Sequence, residues 1–106
     1  MIIKGTETNQ KKIWPMVINE YKINSKFSWA LIEINWDHWK LKCLNEDRIY
    51  FILSWEWKFE LNWKEFEVTT NDLVFVPKET PYNVIWTIKY FLICSPEFNP
   101  NDDMFL

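Results

Sequence analysis

The chain has 106 residues, a charged fraction of 25% and a formal net charge of −3. That is one domain's worth of sequence with room for one core, and its mildly acidic surface repels phosphate backbones, so nucleic-acid binding is not expected. No apolar run approaches the roughly 20 residues that span a bilayer, and the first residues lack the basic-then-apolar pattern of a signal peptide, so the expectation is a cytoplasmic protein without a membrane partner.

In chain order, residues 1–4 are read as a short edge strand and Gly5 to Asn9 as a polar turn. Pro15 breaks the pattern, because proline cannot continue a ladder. Met16 to Ile23 alternates loosely, and Asn24-Ser25-Lys26 turns the chain. Phe27 to Ile34 is a stronger strand, Asn35 to Trp39 a turn, and Lys40 to Leu44 a short strand. Asn45-Glu46-Asp47 turns again into a strand from Arg48 to Ser54. Phe59 and Leu61, then Phe66 and Val68, alternate with charged residues on either side of Asn62-Trp63, which predicts an antiparallel hairpin turning at those two residues. Thr69 to Asp72 is a turn, Leu73 to Val76 an apolar strand ended by Pro77, and Lys78 to Pro81 a loop. Tyr82 to Ile85 and Ile88 to Cys94 are the last strands. Ser95 to Leu106, with two prolines and three acids, is a tail or a latch over the barrel. Short strands at close spacing make an all-β sandwich or barrel.

One glycine and eight tryptophans are abnormal for such a fold, since average usage gives about 7% glycine, roughly seven residues here. The tryptophans stand where turn chemistry wants glycine: Trp36 and Trp39 in one turn, Trp55 and Trp57 straddling Glu56, Trp63 in the hairpin, and Trp86 before a strand. Reading those six as glycine restores ordinary composition. Some bacterial codes assign UGA to glycine, and translation with a table that assigns it to tryptophan produces this pattern. The alternative is eight genuine aromatics forming a large apolar surface. Trp29 suits an aromatic-rich strand; Trp14 carries no signal either way.

With those tryptophans read as glycine, Arg48 to Val68 resembles the first conserved block of the cupin superfamily. Asn71-Asp72-Leu73-Val74-Phe75-Val76-Pro77-Lys78-Glu79-Thr80-Pro81-Tyr82 resembles the second. The resemblance covers roughly residues 27–96 and implies a small, single-domain type-2 cupin over 1–106: a double-stranded β-helix, or jelly-roll β-barrel. N-terminal strands would occupy 1–26 and a tail 97–106, with a pocket inside one end of the barrel. Asn71 and Glu79 replace glycines of the family pattern. Cupins that bind a metal do so through three histidines and a glutamate, and counting places those positions near Lys42 and Leu44 and at Arg48 and Tyr82. Such residues do not ligate a divalent ion, so no metal or other cofactor is expected. Cys43 and Cys94 lack metal-ligand spacing and read as buried, reduced thiols.

Arg48, Tyr50 and Ile52 share one strand face, and the family residue at Arg48's position points inward. A guanidinium with the phenols of Tyr50 and Tyr82, and Lys42 nearby, would suit a carboxylate, phosphate or sugar-hydroxyl ligand. The alternative is that Arg48 pairs with Asp47 or Glu46 and the two tyrosines are core aromatics. His38 reads as an exposed turn residue rather than a general base. The functional expectation is a metal-free module binding a polar or sugar-like small molecule. The rival is a sugar isomerase- or epimerase-like cupin working by proton transfer, with Tyr82 or Tyr50 as acid, although no inward histidine or carboxylate pair is visible in the sequence. The resemblance also implies a homodimer paired through an exposed amino-terminal edge strand.

Overall fold

The computed structural model describes residues 2–14, 16–21, 26–35, 39–54, 57–85 and 87–106. Eleven strands among them form two antiparallel sheets: β1 (Asn9–Ile13), β2 (Met16–Tyr21), β3 (Ser28–Asn35), β4 (Leu41–Cys43), β5 (Asp47–Ser54), β6 (Trp57–Leu61), β7 (Lys64–Val68), β8 (Leu73–Val76), β9 (Tyr82–Ile85), β10 (Thr87–Ser95) and β11 (Asp103–Phe105). One sheet runs β1-β2-β3-β10-β5-β8 and the other β11-β4-β9-β6-β7. This is the jelly roll expected of the sequence.

The core lies between the sheets and follows from period-two alternation. Ile32 and Ile34, Tyr50 and Ile52, and Ile88, Tyr90, Leu92 and Cys94 face inward from β3, β5 and β10; Leu41, Phe59, Val68, Tyr82 and Val84 meet them from the other sheet. Burying each large apolar side chain contributes about 1.5–3 kcal/mol, and β10, which lies between β3 and β5 in the larger sheet, carries the most of them, four. No helix among the described residues is long and apolar enough to cross a membrane.

The hairpin turns where the alternation places it. Asn62 and Trp63 have φ of 50° and 69°, and Leu61 pairs with Lys64 across the turn, so both central residues adopt the left-handed geometry that a tight two-residue turn demands. Its apolar face is only partly covered: Phe59 and Val68 are buried, but Phe66 on the edge strand β7 is 49% exposed. Asn71 and Glu79, at the two positions where the cupin sequence pattern has glycine, have φ of 74° and 66°.

Two ends of the chain differ from expectation. Residues 2–4 are not a strand; a single 3-10 turn follows at Gly5–Glu7, and the edge strand is β1, which begins inside the segment read as a turn. Every residue of β1 is exposed, so it has no buried face to create an alternation. It is held by its ladder to β2 and by the Lys11–Glu20 ion pair at 2.7 Å. Lys11 and Lys12 sit on this open edge, and edge lysines oppose edge-to-edge pairing, which weakens the edge-strand route to a homodimer. At the other end, the tail contains β11, three residues that pair with β4 in the register Asp103↔Cys43.

Candidate functional site

The second residue of β5 points inward, and it is a cation. Arg48 is 2% exposed, flanked on the inner face by Cys94 of β10 and Val76 of β8. Two residues on, Tyr50 faces the same way. Tyr82, the first residue of β9, comes from the opposite sheet. Arg48 Nη1 donates to the Tyr82 hydroxyl at 2.7 Å, and the Tyr50 hydroxyl donates to the same oxygen at 2.6 Å. The rings of Tyr50, Phe59, Tyr82 and Tyr90 pack around this chain of bonds, with centroids 5.0–5.9 Å apart.

Two carboxylates complete the cluster. Arg48 Nη2 donates to Glu46 Oε1 at 3.1 Å and to Asp103 Oδ1 at 2.6 Å. Glu46 is fully buried, and its Oε2 accepts the Asn99 N–H at 2.9 Å. The register of β11 on β4 puts Asp103 on the inner side, opposite Cys43. The Phe98 ring lies 5.3 Å from the guanidinium carbon. Arg48 Nε and the Tyr90 hydroxyl are buried without a partner among the described residues.

Burial dominates the electrostatics. It raises the pKa of Glu46, with the Asn99 N–H and Arg48 pulling the other way, and it raises Asp103 against the attraction of Arg48. Tyr50 and Tyr90 are pushed well up by burial. Tyr82 is also pushed up by burial, to about 12, while Arg48 and the bond from Tyr50 oppose the shift. All three phenols are therefore neutral proton donors at physiological pH. Burial works against the charge on Arg48, but the Asp103 carboxylate opposes it, and the guanidinium stays protonated.

Of the expected residues, the fold brings Arg48, Tyr50 and Tyr82 together and leaves Lys42 out. Lys42 lies between buried Leu41 and Cys43 on β4 and so faces away from the barrel, opposite Met104. Ile52 is buried deeper on the Arg48 face. The ion pair of Arg48 is with Glu46, not Asp47, whose carboxylate instead caps the Lys78 N–H at 2.9 Å. The expectation that no inward carboxylate pair exists is corrected by Glu46 and Asp103. Tyr90 was legible as an inward position of an alternating strand; Asp103, 55 residues from Arg48 on a strand without a pattern, was not.

The ligand set of metal-binding cupins does not fit these residues: Lys42 and the exposed Leu44 face outward, and the inward Arg48 and Tyr82 are bonded to each other. No group of three or more His, Cys, Asp or Glu among the described residues is arranged to hold a metal ion. Cys43 and Cys94 are free, buried thiols; burial raises both, Cys94 to about 12. His38 and the expected turn tryptophans Trp36, Trp55 and Trp86 lie outside the described residues, as does the side chain of Trp57.

No family model matches the sequence, and no curated protein matches it significantly. Solved structures do match the fold. Streptomyces PAC13, in a tyrosine-to-phenylalanine variant with uridine, superposes with a TM-score of 0.89 at 17% identity, over 100% of this chain and 89% of that one; that protein is described as a nucleoside dehydratase. KdgF from Halomonas sp. matches with a TM-score of 0.83 at 9% identity, over 95% of this chain and 96% of its own. An RmlC-like cupin from Shewanella frigidimarina matches at 0.77 and 13%, over 89% and 88%. At these identities the likeness is one of fold.

Proposed function

We propose that this chain, which has the cupin jelly-roll fold, binds a small hydroxyl-rich molecule at the Arg48, Tyr50 and Tyr82 end of its barrel, without a metal. The observation that carries this reading is the pair of unspent donors, Arg48 Nε and the Tyr90 hydroxyl, buried beside a network whose other groups are bonded. A buried polar group without a partner costs about 1–3 kcal/mol. Two in one cluster mark a place where a polar molecule supplies the missing partners. The neutral phenols fit hydroxyl and carbonyl oxygens as acceptors, and the uridine bound by the fold neighbour PAC13 carries both.

Thermal-shift measurement against a panel of uridine, neutral monosaccharides and sugar acids tests it. At least one member should stabilise the wild type, and Tyr82→Phe should weaken that ligand by about tenfold, the loss of one hydrogen bond. A panel that leaves the wild type unmoved, together with a crystal structure in which ordered water satisfies both orphan donors, overturns the reading. One equivalent of transition metal surviving chelation would overturn its metal-free part.

A second reading, proton-transfer catalysis, is favoured by one observation: Tyr82 receives two hydrogen bonds at one oxygen, and of the three buried phenols it is held nearest the ordinary value. Glu46, with its raised pKa, would be the partner base. Deuterium incorporation into a bound sugar or nucleoside in D2O, abolished by Tyr82→Phe, is the signature; binding without exchange leaves the module reading alone.

A further inference from the structure

The segment after β10 closes the mouth of the barrel with polar contacts and contributes nothing to the buried core, whose last member is Cys94. Its anchors are the three-residue ladder of β11 on β4, the Asp103 carboxylate and the Phe98 ring on Arg48, the Asn99 N–H on Glu46, the Phe98 N–H on the Ser28 hydroxyl at 2.9 Å, and, flanking the ladder, Leu44 N–H to the Asp102 carbonyl and Leu106 N–H to that of Lys40. Phe98, Met104, Phe105 and Leu106 are exposed. β11 is an edge strand paired on one side only. A segment with few buried apolar contacts and solvent-facing backbone bonds opens at low free energy, well below global unfolding.

Arg48 is paired on this side in an incomplete way. A guanidinium matches a carboxylate best as a fork, two parallel N–H bonds to the two oxygens of one group. Here Nη2 contacts one oxygen from each of two separate carboxylates, and Nε contacts none. Glu46 stays with Arg48 whether or not the segment is in place: it is fully buried and only two residues away in the chain. Asp103 is the exchangeable partner, because it rides on β11. Beside the cover lies a cleft of about 570 Å³ lined by Lys26, Asn45, Phe98 and Asn99 and by the acids Glu97 and Asp102; that volume suits a monosaccharide-sized molecule, and the cation that favours an acid is Arg48 itself.

We propose that residues 97–105 are a displaceable cover and that the Asp103 carboxylate stands in for the carboxylate of the ligand, a hydroxylated acid of sugar size. The ligand displaces Asp103 from Nη2, gains Nε in the same fork, and presents its hydroxyls to Tyr90 and Tyr82. Binding and uncovering are then one event, and the affinity of the wild type is reduced by the internal competitor. This rests on the binding reading above and adds the charge of the ligand and the way in.

The test is isothermal titration of wild type and Asp103→Asn with glucuronate and with methyl glucoside, which has the ring but no carboxylate. Wild type should prefer glucuronate by at least tenfold, and Asp103→Asn should bind glucuronate about tenfold tighter than wild type. Glucuronate binding to Asp103→Asn alone also supports the cover, as a competitor too strong for the free acid. Equal binding of both sugars by both proteins overturns the cover and leaves the binding reading standing. No binding by either protein, with uridine also inert, overturns the binding reading and the cover with it. Should Asp103→Asn fold poorly, hydrogen exchange on the wild type decides: with glucuronate bound, the Leu44 and Leu106 amides should lose protection while Leu92 gains it. Unchanged or increased protection at Leu44 and Leu106 overturns the proposal.

Discussion

The cluster beneath the C-terminal segment and the hairpin turn that adjoins it through the Leu61–Tyr82 pairing break local rules in different ways. At the covered end, an arginine, two carboxylates and three phenols are buried together, a costly arrangement offset by a dense set of bonds among them. At the hairpin turn, and at Trp39, the cost lies in the backbone. Trp63 has φ of 69° and is 62% exposed, Trp39 has the same φ and is 47% exposed, and an L-residue in that region is strained by about 1–2 kcal/mol. The nearest compensation for Trp63 is Lys40, whose ammonium sits 4.4 Å from its ring centroid while also paired with Glu60. A violation matched by a network of partners reads as a site; one matched by a single exposed contact reads as the wrong residue for the position.

Breaking the covered end should have the largest effect. Arg48→Met leaves Glu46 and Asp103 buried without their cation, and removing one member of a buried ion pair costs about 3–5 kcal/mol. Chemical denaturation should show that loss in unliganded protein. Arg48 is thus a poor probe of binding by itself, contrary to what its sequence position alone suggests, and Tyr82→Phe is the better one. A loss below about 1 kcal/mol would mean that the two carboxylates reach solvent or protons easily, and that the cluster is looser than its burial implies.

Relaxing the hairpin end should move stability the other way. Trp63→Gly relieves about 1–2 kcal/mol of backbone strain and gives up a cation–π contact worth about 0.5–1 kcal/mol at an exposed site, so a small net gain is expected. Trp39→Gly should behave likewise. We infer from these positive φ values and from the single glycine in the chain that both positions are glycine in the protein's own genetic code. In-frame UGA at Trp36, Trp39, Trp55, Trp57, Trp63 and Trp86, with a native mass lighter by six Trp-to-Gly differences, is the expected result. UGG at these positions ends the idea.

What was legible in the sequence follows the same division. The bounds of β8 and β9 could be read directly, because each is a short apolar run between turn residues or prolines. The hairpin was readable from alternation alone, even with tryptophan at its turn. β1 and β11 were not, since an edge strand with no buried face shows no period. The site divides likewise. Arg48, Tyr50 and Tyr82 come from strands with strong alternation; Lys42 was placed by counting family spacings, and a shift of one residue moves a strand side chain to the opposite face. Asp103 enters through a tertiary pairing that no local pattern encodes.

The smallest effect, a slope rather than a loss, asks whether burial or the ion pair governs the covered end. Burial raises Glu46 above its ordinary 4.5 and Asp103 above 3.8 in the folded protein. Between those ordinary values and the raised ones, the folded state holds more protons than the unfolded state, so stability falls as pH rises through the window, and the loss is complete above the raised values. Lowering the pH from 7 towards 5 should therefore stabilise wild type relative to Glu46→Gln, which cannot titrate at that position. The stability difference between the two proteins, followed by denaturation across that range, isolates Glu46 from every other group. If the wild type instead loses ground as the pH falls, Arg48 holds Glu46 below its ordinary value, the ion pair outweighs the burial, and Glu46 is an anion throughout the range. In that case Glu46 is excluded as a base that exchanges protons with Tyr82 near neutral pH, and the covered end is left with binding as its function.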